Sequence, residues 1–142
     1  MAENKYMLLR DRSIEVNGHK LYRIQAIRDI VNSSGIVVVP EGQIGGYVES
    51  ENNLSQSDCC WIADSAMVYG GAKVFDSAKV FGYARVFDDA KIYDHAKVYD
   101  FAKVYGNAKI FGDAEVYEFA EVFGSARVFG NAKVFGFARV CN

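Results

Sequence analysis

The chain has no threonine, a single proline and three cysteines among 142 residues, and its net charge is only -2. Its apolar runs are short, such as Ile36 to Val39, so no segment is long enough to cross a bilayer as a helix. A balance of 16 Lys and Arg against 18 Asp and Glu excludes binding to nucleic acid through bulk positive potential. Cys59 and Cys60 are adjacent, Cys141 is far away and the count is odd, so no disulfide framework is expected. The first residues, Met1 to Lys5, lack the apolar core of a signal peptide, and a cytoplasmic location is the expectation. What the chain has in excess is aromatic: ten Phe, nine Tyr and one Trp.

Those aromatics follow a period. Alanine recurs every six residues from Ala66 to Ala138, with Val or Ile two positions later in every case, from Val68 to Val140. Between the two sits a charged residue except at Met67, and after the aliphatic comes Phe or Tyr until Cys141. Period six does not fit 3.6 residues per turn, and Gly or Asp in nearly every repeat opposes a helix. Read as a strand, Ala-Lys-Val-Phe puts Ala and Val on one side and Lys and Phe on the other. Gly106-Asn107 and Gly112-Asp113 supply the turns. Because every hexad has the same sidedness and direction, the strands coil and pair in parallel with the next turn, about 4.8 Å away.

Thirteen consecutive hexads resemble the signature of left-handed parallel β-helices, the hexapeptide-repeat proteins. The resemblance implies three hexads, hence 18 residues, per coil, a left-handed path and four to five coils over residues 60–142. Residues 1–59 are then an amino-terminal β cap: Tyr6 to Leu9 and Ile14 to Val16 read as strands, and Asn17-Gly18 before Lys20 to Ile24 is a hairpin signal. Ile36 to Val39 before Pro40-Glu41-Gly42 is a further strand and turn. A cap is what the open first coil of a β-helix needs. Arg23 and Arg28 are the candidate contact residues of this region. Gly42 to Gly46 does not have the spacing of a nucleotide-binding loop. Tyr22 to Asp29 and Gly45 to Gln56 also resemble uncharacterised bacterial and phage or prophage hexapeptide-repeat proteins.

Residues 18 apart stack in columns. One corner column differs from the others: Tyr83, Phe101, Phe119 and Phe137 occupy positions where Ser, Asn, Asp, Gly and His otherwise stand. Phenylalanine brings nothing to a turn, so this stripe calls for another explanation. Beside it run Phe81, Tyr99, Tyr117 and Phe135, which makes eight aromatics on one edge. The other aromatic columns are explained by stacking between rungs.

Candidate chemistry is thin. The best-known owners of the resembled fold are acyltransferases, trimers with a His near an inserted loop, and this array has no inserted loop. Ser77, His95 and Asp113 share a column, a constellation reminiscent of a hydrolytic triad, but turns favour the same residues. Cys59 and Cys60 with His19 are a weak metal candidate, since neighbouring strand residues point to opposite faces and Cys60 has the inward phase of the alanines. Ice binding is excluded by the missing threonines. No cofactor and no metal are expected. The expectation is a non-enzymatic protein, phage- or prophage-derived, that forms a homo-oligomer (dimer or trimer) and engages a protein partner through the aromatic edge, as an inhibitor or scaffold. The alternatives are an acyltransferase-like protein and a surface on which single-stranded nucleic acid stacks.

Overall fold

The computed structural model describes residues 4–142. Five strands open the chain: β1 (Tyr6–Val16), β2 (His19–Ala26), β3 (Ile30–Val31), β4 (Val37–Val39) and β5 (Ile44–Val48). A single 3₁₀ turn, Glu51–Asn53, and β6 (Trp61–Ile62) follow, and then one two-residue strand per hexad, from β7 (Met67–Val68) to β19 (Arg139–Val140). The hexad strands pair in parallel, as Arg85 with Lys103 and Val86 with Val104, and build a solenoid with three faces. Face I carries Tyr47, Met67, Arg85, Lys103, Glu121 and Arg139. Face II carries Lys73, Lys91, Lys109 and Arg127; face III carries Trp61, Lys79, Lys97, Glu115 and Lys133. The all-β solenoid of about five turns with a β cap is the architecture the hexads predict.

The interior is made of the smallest possible rungs. From Ala66 to Ala120 each alanine is fully buried, and so is each aliphatic partner from Val80 to Val122. Adjacent coils are joined by bonds such as Lys73 N–H to the Ala90 carbonyl at 2.9 Å and Phe75 N–H to the Ile92 carbonyl at 3.0 Å. The fifth hexad position turns the corner in the left-handed backbone region, with φ near 58° at Asp76, Asp88, Asp94 and Asp100 and 68° at Gly106 and Gly112. That explains why only Gly and Asp alternate there, with Glu118 the exception. Asp earns its place by bonding along the axis: Asp94 Oδ2 accepts from Gly112 N–H at 3.0 Å, and Asp88 Oδ2 from Gly106 N–H at 3.0 Å.

The cap extends face I. Asn17 and Gly18, both at positive φ (51° and 83°), make the tight turn of the β1–β2 hairpin, and β2 pairs antiparallel with β5. In β1 the register slips between Leu9, opposite Arg23, and Ser13, opposite Tyr22, so Arg10, Asp11 and Arg12 bulge out as exposed residues. The strand β5 is already a rung: Val48 pairs with Val68, twenty residues on, where Val68 pairs with Val86, eighteen on. The first coil is therefore two residues longer than the others. Gly45 and Gly46 belong to it, and a Cβ would lie 2.5 Å from the Ile62 carbonyl at Gly45 and 2.6 Å from the Ala66 carbonyl at Gly46. These glycines are required by close packing of backbone on backbone.

Lys5 closes the amino-terminal end. It is 1% exposed, and its Nζ donates to the carbonyls of Ser57 (3.0 Å), Asp58 (3.1 Å) and Cys60 (2.9 Å) and lies 3.2 Å from Cys60 Sγ. Burial holds the ammonium below the ordinary lysine range, against the opposing pull of the Cys60 thiol. Tyr6 beside it donates its hydroxyl to the Leu54 carbonyl at 2.5 Å. Edge carbonyls of the first coil, which would otherwise face open space, are satisfied this way.

Candidate interaction surface

The aromatic columns are stacks. Ring centroids in the ladder on face III lie 4.8 Å apart for Phe81–Tyr99, 5.1 Å for Tyr99–Tyr117 and 5.4 Å for Tyr117–Phe135, with planes within 14°. The corner stripe stacks equally well: 5.1 Å for Tyr83–Phe101, 5.2 Å for Phe101–Phe119 and 5.1 Å for Phe119–Phe137. Exposure separates the two over the inner coils: Phe81, Tyr99 and Tyr117 are half-buried and Phe135 opens to 53% only in the last coil, whereas Tyr83, Phe101, Phe119 and Phe137 are 61%, 50%, 51% and 82% exposed. The stripe thus stands against solvent despite full stacking, on the corner where face III meets face I.

Polar groups fix the ladder from below. Tyr99 donates its hydroxyl to Glu115 Oε1 at 2.8 Å, and desolvation together with that carboxylate pushes the phenol above its ordinary range. Tyr105 does the same with Glu121 at 2.9 Å on face I, where the Arg139 guanidinium lies 5.1 Å from the Phe123 ring. Tyr83 is held through its backbone, whose N–H donates to the Asp100 carbonyl at 2.8 Å, and no hydrogen bond ties down its hydroxyl among the described residues.

Face III has a second feature. The β3–β4 hairpin stands over it, and between Asn32, Ser33 and Val38 on one side and the column of Cys59, Ser77, His95 and Asp113 on the other lies an open groove of about 500 Å³. Ser77, His95 and Asp113 do line one wall. The contact formed within the column is Cys59 Sγ with Ser77 Oγ at 3.3 Å, and no hydrogen bond joins Ser77, His95 and Asp113 to one another among the described residues. Cys59 and Cys60 are both buried, Cys60 in the phase of the alanines. His19 sits elsewhere, with Nδ1 2.9 Å from Glu49 Oε2 and its ring 5.1 Å from that of Tyr69. Among the described residues no group of three or more His, Cys, Asp or Glu is placed to hold a metal.

The two arginines of the cap expected to make contacts, Arg23 and Arg28, differ in setting. Arg23 is a stitch within the protein: Nε donates to the Gly45 carbonyl at 3.0 Å, a terminal nitrogen donates to the Asp64 carbonyl at 2.7 Å, and the guanidinium lies 4.8 Å from the Tyr47 ring. Arg28 is exposed in the connection after β2. The hairpin over face III escaped sequence reasoning, since Ile30 to Val39 carries a strand and turn signal but nothing that says which face it covers. No helix is long and apolar enough to cross a membrane among the described residues.

No protein-family model matches the chain, and no curated protein matches it either.

Proposed function

We propose that this chain is a binding protein whose working surface is the aromatic edge of face III, formed by Tyr83, Phe101, Phe119 and Phe137 with Phe81, Tyr99, Tyr117 and Phe135 behind them. The observation that carries this function is the exposure of four stacked rings at a corner that turn chemistry would fill with small polar residues. Aromatic rings are the side chains that most often anchor protein interfaces, because they bury much area at little cost in conformational entropy. The edge serves self-association first and capture of a protein partner second. Its resemblance to hexapeptide-repeat proteins of phages and prophages supports a role in the cytoplasm of a bacterial host, with a host protein as the partner that it inhibits or scaffolds.

Native mass measurement of the wild type and of a Phe101→Ser/Phe119→Ser double variant tests this function. Association in the wild type, lost in the variant while its circular dichroism spectrum is kept, is the expected result. A monomeric wild type that captures the same host proteins as the double variant overturns it.

A further inference from the structure

The groove beside the β3–β4 hairpin runs along the corner of face III with face II, the edge opposite the aromatic stripe. Lys79 and Lys97 line it from adjacent rungs and are in register with each other. Neither has an ion-pair partner: the ion pairs among the described residues are His19–Glu49 and Lys133–Glu115. Lys97 is also in register with Glu115, yet that carboxylate takes the Tyr99 hydroxyl at 2.8 Å and lies 3.9 Å from Lys133 Nζ. Rungs lie about 4.8 Å apart, so one anion can meet both free ammonium groups. Neutral donors share the groove. Cys59 donates its thiol to Ser77 Oγ at 3.3 Å, which leaves the Ser77 hydroxyl proton available. On the hairpin, Asn32 Oδ1 accepts from Ser34 N–H at 2.9 Å and Ile36 N–H at 3.0 Å, so its amide nitrogen is the end left for a ligand. Face II carries cations too, in Lys73, Lys91, Lys109 and Arg127, but the hairpin stands over face III, and a concave wall lets several donors close on one anion.

We infer that this groove binds a small phosphate monoester that carries hydroxyls beyond its phosphate, a sugar phosphate in chemical class. The phosphate sits between Lys79 and Lys97 and takes further donors from Ser77 and the hairpin. A carboxylate would offer this set two oxygens and one charge, whereas a phosphate monoester offers three oxygens and close to two charges. The far end of the groove selects the rest of the ligand. There the same two columns continue as Asp113 and Glu115, and the Asp113 carboxylate is exposed and makes no hydrogen bond among the described residues. A bare oxyanion meets like charge at that end, but a ligand with hydroxyls finds acceptors. From midway between the two lysine rungs to the Asp113 rung is about 7 Å, the reach of a pentose or hexose phosphate from phosphorus to its distal hydroxyls. The groove's volume of about 500 Å³ suits a ligand of that size. The site lies apart from the aromatic edge, so either reading can fail without the other.

Isothermal titration calorimetry with ribose 5-phosphate, glucose 6-phosphate and adenosine 5′-monophosphate tests this. At least one of the three is expected to bind, at least about tenfold more tightly than inorganic phosphate. Lys79→Gln and Lys97→Gln should each weaken that ester at least about tenfold, while Lys109→Gln on face II leaves it unchanged. Asp113→Asn should narrow the preference for the ester over inorganic phosphate without weakening inorganic phosphate itself. Circular dichroism checks that each variant is folded. The inference is overturned if none of the three esters binds at millimolar concentration, if inorganic phosphate binds as tightly as they do, or if the Lys79 and Lys97 variants bind as the wild type does. A loss on Lys109→Gln equal to that on Lys97→Gln also overturns it, since it marks attraction to any basic surface.

Discussion

The ladder on face III and the stripe at its corner contain the same kind of ring at the same spacing, and only one of them is explained by folding. Tyr99 sits 4.8 Å and 5.1 Å from its neighbours, half-buried, with its hydroxyl bonded to Glu115. Phe101, two residues on, sits 5.1 Å and 5.2 Å from its neighbours and stays 50% exposed. Stacking distance therefore says little about why a ring is present. Inner rings of the ladder lie half-buried on the sheet, whereas rings in the stripe stack on one another and leave half or more of their surface to solvent.

Truncating rings of the two kinds should separate their roles. The largest loss of folding stability is expected from Phe111→Ser in the ladder of face II, stacked between Tyr93 and Phe129: about 2 to 3 kcal/mol, read by urea denaturation. Next is the cap, where Lys5→Met leaves the carbonyls of Ser57, Asp58 and Cys60 without their donor and should cost about 2 kcal/mol. At a corner, Asp94→Ala loses the bond to Gly112 N–H and keeps a Cβ at φ 58°, for about 1 to 2 kcal/mol, while Asp94→Gly relieves the backbone and should cost less than Asp94→Ala. The smallest change is in pH dependence. Desolvation works against the Glu49 carboxylate, but bonds from His19 and from Gly70 N–H (2.8 Å) more than offset it and lower its pKa below 4.5. A lowered carboxylate pKa stabilises the fold above the unfolded value and loses that contribution as pH falls through the folded one. Glu49→Gln should therefore flatten the fall in melting temperature below about pH 4.5 and lower stability slightly at pH 7.

The solenoid was legible because its physics is periodic. One alternation of small and large residues, repeated thirteen times, dictates strand sidedness, parallel pairing and the columns, and Ala66 to Ala120 are buried as that pattern requires. The stripe was legible for the same reason, as a break in a column. The cap resisted reading where contacts span the sequence. Lys5 lies in a polar opening stretch that looks solvated, yet it is buried because residues 57, 58 and 60 present three carbonyls to it. Val48 and Leu54 belong to the first coil, but the two extra residues before Ile62 break the period of six by which the other coils are recognised. Gly45 and Gly46 look like a loop and are strand residues without room for a side chain.

The most direct measurement compares the same chemical change in the two settings, by sedimentation equilibrium and thermal melting of Phe101→Ser/Phe119→Ser in the stripe beside Phe111→Ser in the ladder. The stripe variant should melt close to the wild type and associate at least about a hundredfold more weakly, while the ladder variant should melt lower and associate as the wild type does. If both variants melt lower and neither changes association, the stripe is one more structural ladder and the aromatic edge is not the working surface.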